Sequence, residues 1–136
     1  MWWRRLCYGM ELDDWTVREK PYDLRERLFL FACLVVRLVR YLHTCGPIGI
    51  ALSYQVLKSA TSAGANYEEA DGGSSSRDTL AKRRIVLREL KETRFRLRVL
   101  RHSGFLAAAH DPVIAEATEL MNIVAAIIRN SSASTQ

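Results

Sequence analysis

Apolar residues recur at alternating spacings of four and three along four stretches of the chain. In the first, from about Tyr22 to His43, Leu24, Leu28, Phe31, Val35, Leu38 and Leu42 form one seam, the periodicity of a helix with one face in a core. Pro21 and Asp23 suit its first turn. Gly46-Pro47 closes this segment and opens the next. There Leu52, Val56, Ser59, Ala63, Asn66 and Ala70 continue the rhythm, and "DGGSSS" at 71–76 reads as the following loop. The third segment, Ser76 to His102, carries Val86, Leu90, Thr93, Leu97 and Leu100, with Gly104 as its stop. The fourth opens at Asp111-Pro112 and continues through Val113, Ala117, Leu120, Val124 and Ile127 to about residue 130.

Nowhere do β-branched or aromatic residues alternate over a strand's length. The pattern predicts an all-α protein, an antiparallel up-down four-helix bundle spanning residues 21–130. Residues 131–136 form a polar tail expected to be flexible. Residues 1–20 form an N-terminal extension with no pattern tying it to the bundle, and Met10 is an alternative start. On the first segment Phe29, Leu30, Leu34 and Val36 lie off the core seam. This second apolar surface predicts burial against another copy of the chain.

Small residues mark the second segment. Ser59 with Ala63, and Ala60 with Gly64, are spaced to let a neighbouring helix approach closely. A helical glycine costs about 1 kcal/mol relative to alanine, so Gly64 is expected at a close crossing. Asn66 falls on the seam, where an amide can fix register and partner number. Glu69 is expected to bridge helices, with Glu68 solvated.

Charge changes the picture in one place. The 136 residues carry a net +5, yet Ser76 to His102 holds ten basic residues against three acidic ones. That segment nets +7 and the remainder of the chain −2. Arg77, Arg84, Arg88, Lys91, Phe95 and Arg98 fall on a face roughly opposite its apolar stripe. Guanidinium forks pair bidentately with phosphates, and an exposed aromatic can stack on a base. The face is therefore a candidate nucleic-acid surface. A solvated or inter-subunit salt-bridging face and a surface for an acidic protein partner are the alternatives.

Other chemistry fares less well. Tyr54 and Lys58 form a YxxxK beside Ser53, the spacing used in short-chain dehydrogenases, but no strand-linked GxGxxG accompanies it. A small enzyme using Tyr54, Lys58 and Glu69 remains as an alternative. Ser62-Ala-Gly64 lacks the Gly-Lys-Ser/Thr of a phosphate loop. His43 and Cys45 offer two ligands where zinc takes four, and His102 and His110 are isolated; no metal or cofactor is expected. Cys7, Cys33 and Cys45 are odd in number without CxxC spacing, which predicts reduced thiols. The apolar run Leu28–Val36 is too short to span a bilayer. A cytoplasmic protein without a membrane or small-molecule substrate is expected.

"DLRERLFLFACLVVRLVRYL", "LKSATSAGANYEEA" and "LRELKETRFRLRVL" resemble the four-helix-bundle proteins encoded within intervening sequences of bacterial 23S ribosomal RNA genes. The same fold class includes the accessory variability determinant of diversity-generating retroelements. The similarity covers about residues 22–130 and is most specific in Ser59 to Asn66, Glu69-Ala70, Glu89, Glu92 and Thr93. The resemblance implies a small, cytoplasmic, all-helical subunit of a homopentamer, in a family for which no catalytic activity is established; in the retroelement relatives a basic surface of the pentamer engages RNA and the reverse transcriptase. The chain departs from the family after its "DGGSSS" loop: Thr79, Leu80, Ala81 and Lys82-Arg83-Arg84 replace a common aromatic–His pair ahead of Lys. The reading that follows is a non-enzymatic homo-oligomeric scaffold or interaction protein. A structural assembly with no nucleic-acid ligand is the alternative.

Overall fold

The computed structural model describes residues 14–72 and 75–134. Positions 1–13 of the N-terminal extension with Met10 and Cys7, Gly73 and Ser74 of the expected loop, and residues 135–136 of the tail lie outside the described residues.

Four long α-helices account for the described chain: α1 (Leu24–Leu42), α2 (Gly46–Asp71), α3 (Ser76–His102) and α4 (Asp111–Ser134). Short 3-10 turns, His43–Cys45 and Ala108–His110, precede α2 and α4. No strand occurs among the described residues. Each start has a local cause. The Asp23 carboxylate accepts the Arg25 amide at 3.0 Å, and Ser75 Oγ accepts the Asp78 amide at 3.2 Å. Both satisfy amides that have no partner within the helix. Gly46 at φ 89° and Gly104 at φ 85° break the chain where left-handed backbone favours glycine.

Each helix runs back along its predecessor. Arg25 pairs with Asp71 at 3.9 Å near one end of the α1/α2 hairpin, and His43 meets Tyr54 at 5.6 Å near the other. Between α2 and α3, Thr79 Oγ1 donates to the Ala70 carbonyl at 3.2 Å and Thr93 Oγ1 to Ser59 Oγ at 2.7 Å. Between α3 and α4, Arg83 reaches Ser131 and Arg101 reaches Asp111. The predicted seams of α1 and α3 are buried in full. Together with Val56, Ala60, Ala63, Val113, Ala117, Leu120 and Val124 they make one apolar core. The fold is all-helical, as the periodicity predicts.

Four details differ from the sequence pattern. On α2 the seam passes through Ser53 and Tyr67 in place of Leu52 and Asn66, which are half-buried. Asn66 uses its amide within its own helix, donating to the Ser62 carbonyl at 2.8 Å and to Ser62 Oγ at 3.1 Å. The tight backbone approach is also elsewhere. A Cβ on Gly49 would lie 2.8 Å from the Leu42 carbonyl, whereas one on Gly64 would meet Leu28 backbone at an ordinary 3.8 Å. At the C-terminus, α4 continues through the expected tail to Ser134, with Ser131 Oγ donating to the Ile127 carbonyl at 2.8 Å.

The last difference is at the start. Trp15 is 5% exposed and belongs to the core. Its ring lies 4.5 Å from the Arg37 guanidinium carbon and 5.0 Å from the His110 ring. Arg37 Nη2 donates to the Asp14 carbonyl at 2.8 Å. From there residues 14–22 run as non-helical chain to the start of α1. One helical stretch within Leu24–Asp71 is apolar and long enough by composition to cross a membrane. A core helix passes the same test, and Leu28, Phe31, Val35, Leu38 and Leu42 of this stretch are in the core.

Candidate nucleic-acid interface

Because the apolar stripe of α3 faces the core, residues about half a turn away face solvent. Arg77, Arg84, Arg88, Lys91, Phe95 and Arg98 are all exposed, Phe95 at 63%. The stretch from Arg84 to Arg98 spans about 21 Å of helix axis at 1.5 Å per residue. Its cations are largely unpaired. Arg88 approaches Glu89 at 3.7 Å, while Arg77, Arg84, Lys91 and Arg98 make no ion pair among the described residues. Like charges at these spacings repel one another, so the ridge carries positive potential that an external anion relieves.

The remaining basic residues of α3 are spent inside the molecule. Lys82 binds Glu69 of α2 at 2.7 Å. Arg96 lies 3.4 Å from Glu92 and 3.3 Å from the Gln55 carbonyl. Arg94 Nε donates to Thr118 Oγ1 at 3.0 Å, and Arg101 Nε to Asp111 Oδ1 at 2.8 Å. The guanidinium of Arg83 sits 6.0 Å from the Tyr67 ring. One helix thus bonds to α2 and α4 along its flanks and leaves a cationic crest between them. Thr118, Gln55 and Asp111 carry no mark in the sequence that predicts these bonds.

The packing candidates lie on α2. Ser59, Ala60 and Ala63 are buried, Gly64 and Asn66 half-buried, and Glu69 exposed with its Lys82 bond. Ser59 Oγ also donates to the Gln55 and Val56 carbonyls at 3.1 and 3.2 Å. With Thr93 Oγ1 donating to it, the hydroxyl pair lets two polar groups sit in the α2/α3 contact with every proton used.

The residues of the enzyme alternative do not converge. Tyr54 is 58% exposed and Lys58 is exposed. Glu69 stands about 16 Å beyond Lys58 along the axis. Among the described residues no three His, Cys, Asp or Glu side chains are placed to hold a metal ion. Cys33 is exposed and Cys45 half-buried, both as free thiols.

The strongest polar feature inside the molecule was not visible in the seams. Arg27 and Glu116 are both buried and joined by two bonds, Nε to Oε1 at 2.7 Å and Nη2 to Oε2 at 3.2 Å. Arg27 Nη2 also meets Glu119 at 3.1 Å, and Lys20 caps the group through Glu119 at 2.8 Å. The hydrogen bond to Glu116 holds the Arg27 guanidinium above its ordinary pKa. Bonds from Lys20 and then Arg27 hold Glu119 below the usual carboxylate range. The sequence signal was available: Arg27 lies three residues after Leu24, and Glu116 three after Val113, each beside a seam at helical spacing.

No family model and no curated relative matches the chain. A solved structure does: a protein of unknown function from the S23 ribosomal protein family of Bacteroides thetaiotaomicron. The two share 28% identity with a TM-score of 0.71, over 77% of this chain and 97% of that one. The chain is thus an all-helical protein similar in fold and sequence to a member of that family.

Proposed function

We propose that this chain is a non-enzymatic, cytoplasmic, four-helix-bundle subunit that assembles into a homo-oligomer, a pentamer by its resemblance to intervening-sequence proteins. The assembly acts as a scaffold that binds RNA, or a nucleic-acid enzyme such as a reverse transcriptase, through the crest of α3. The observation that carries the reading is the row of cations at Arg77, Arg84, Lys91 and Arg98, without an ion pair among the described residues, with exposed Phe95 among them. The family name of the similar structure, a ribosomal one, is in keeping with an RNA partner. Several weak crests on one ring add by multivalency, which suits a ridge whose individual phosphate contacts are solvent-exposed. The assembly surface is the outer face of α1, where Phe29 and Val36 are exposed at 53% and 37% and Cys33 lies between them.

RNA binding measured across a salt series tests the reading. Affinity should fall log-linearly with salt, each phosphate contact adding about 0.7 to the slope for a single strand. Arg84→Glu/Arg88→Glu should abolish binding and leave the helical signal intact. Binding that ignores salt, or survives that double variant, removes the proposal.

A further inference from the structure

Where the crest of α3 meets the start of α4, the surface folds into an open groove of about 340 Å³ lined by Arg94, Arg98, Arg101, His102, Asp111 and Ile114. That volume lies at the lower end of the range of small-ligand sites, about 300–1,000 Å³. Three guanidinium groups and one carboxylate leave the lining with net positive charge.

Two of the arginines are pre-positioned. Arg94 is tethered through Nε to Thr118 and Arg101 through Nε to Asp111. In both, the Nη edge is the part that makes no hydrogen bond among the described residues. A guanidinium fixed at Nε loses less freedom when its fork closes on an anion. Arg98 and His102 rise from the same rim, both exposed. The first turn of the 24-residue α4 helix adds the positive end of its dipole. Asp111 opposes these effects and is engaged by Arg101 at 2.8 Å. Phe95 stands three residues before Arg98 on the same exposed face.

We infer that this groove seats the phosphate of a single-stranded nucleotide whose base stacks on Phe95. The inference deepens the RNA-binding reading and rests on it: the crest tracks backbone phosphates, and the groove at its end takes one phosphate with its base. A base has a free face for Phe95 only when it is unpaired, so the site selects single strands over duplex.

The test is an NMR titration of the full chain with AMP and, separately, inorganic phosphate at fixed ionic strength. Saturable shifts are expected at Arg94, Arg98, Arg101, His102 and Ile114 with both ligands. AMP should bind about tenfold tighter than phosphate through stacking, and Phe95→Ala should bring it to the phosphate value. Arg98→Ala should weaken both ligands about tenfold; Arg98 is exposed and has no ion pair among the described residues, so this variant stays folded. Asp111→Asn keeps an acceptor for Arg101 and removes the opposing charge, so both ligands should tighten about threefold.

Absence of saturation at the groove overturns the inference. So does equal affinity for AMP and phosphate in the unmodified chain, or an Arg98→Ala variant that binds both unchanged. Failure here can be told from failure of the crest. Salt-dependent RNA binding that needs Arg84 and Arg88, without AMP saturation, removes the groove alone. AMP saturation with no RNA binding removes the crest and leaves a nucleotide site.

Discussion

Glu116 is 2% exposed against a largely apolar core, and it is tolerated because Arg27 meets both of its oxygens. Breaking such a pair from one side leaves a buried charge without compensation, which costs about 3–5 kcal/mol. Glu116→Ala should therefore destabilise the protein by about that amount in chemical denaturation, while Arg27→Met/Glu116→Leu together should recover most of it. Glu119, on the solvent side of the same group, gives a pH signature. Its native pKa lies below the ordinary 4.5, so the unfolded chain takes up a proton first as pH falls. The stability it contributes is full above the unfolded value and disappears as pH drops through the lowered native one. The melting-temperature advantage of the unmodified chain over Glu119→Gln should be flat near neutrality and shrink below pH 4.5. Gly64 gives the opposite sign. With 3.8 Å available to a Cβ, Gly64→Ala should stabilise by about 0.5–1 kcal/mol through helix propensity. Gly49→Ala, facing a carbonyl at 2.8 Å, should destabilise by about 1–3 kcal/mol.

At the scale of elements, the N-terminal segment behaves as a strap. Trp15 joins the core beside Arg37 and His110, and Lys20 closes the Arg27 group. Trp15→Ala should cost about 3–5 kcal/mol and expose the strap, so trypsin should cut after Arg18 much faster than in the unmodified chain. Unchanged proteolysis would show that the strap is held by its charges alone. This segment shows where sequence reading stops. The seams of α1 and α3 were legible because every position repeats a spacing, and each seam is confirmed residue by residue. The candidate crest was legible for the same reason, being the complement of a seam. Trp15 belongs to no period; a lone aromatic in a polar stretch is buried or exposed according to tertiary partners that lie more than twenty residues away. On α2 the small residues gave two nearly equivalent stripes one residue apart, and Tyr67 rather than Asn66 won the buried position. The aromatic ring excludes more apolar area from water than an amide that must keep its hydrogen bonds.

For the whole molecule, the proposed assembly rests on what α1 leaves uncovered. Its inner seam is fully used by α2, α4 and the strap, yet Phe29 and Val36 remain exposed on the outer side, and Cys33 falls between them at helical spacing. In the proposed assembly this second apolar face is covered by another copy of the same chain, which offers the same stripe. Phe29→Lys/Val36→Lys places two charges on that stripe without touching the core. Light scattering coupled to size exclusion should then show the proposed homo-oligomer for the unmodified chain and monomer for the variant, with helical circular dichroism retained. RNA affinity should fall in parallel even though every cation of the α3 crest is intact, because one crest alone loses the gain from multivalency. Monomerisation with undiminished RNA binding would separate the two properties and leave the crest acting singly. An oligomer that withstands both lysines would place the subunit contact on another face.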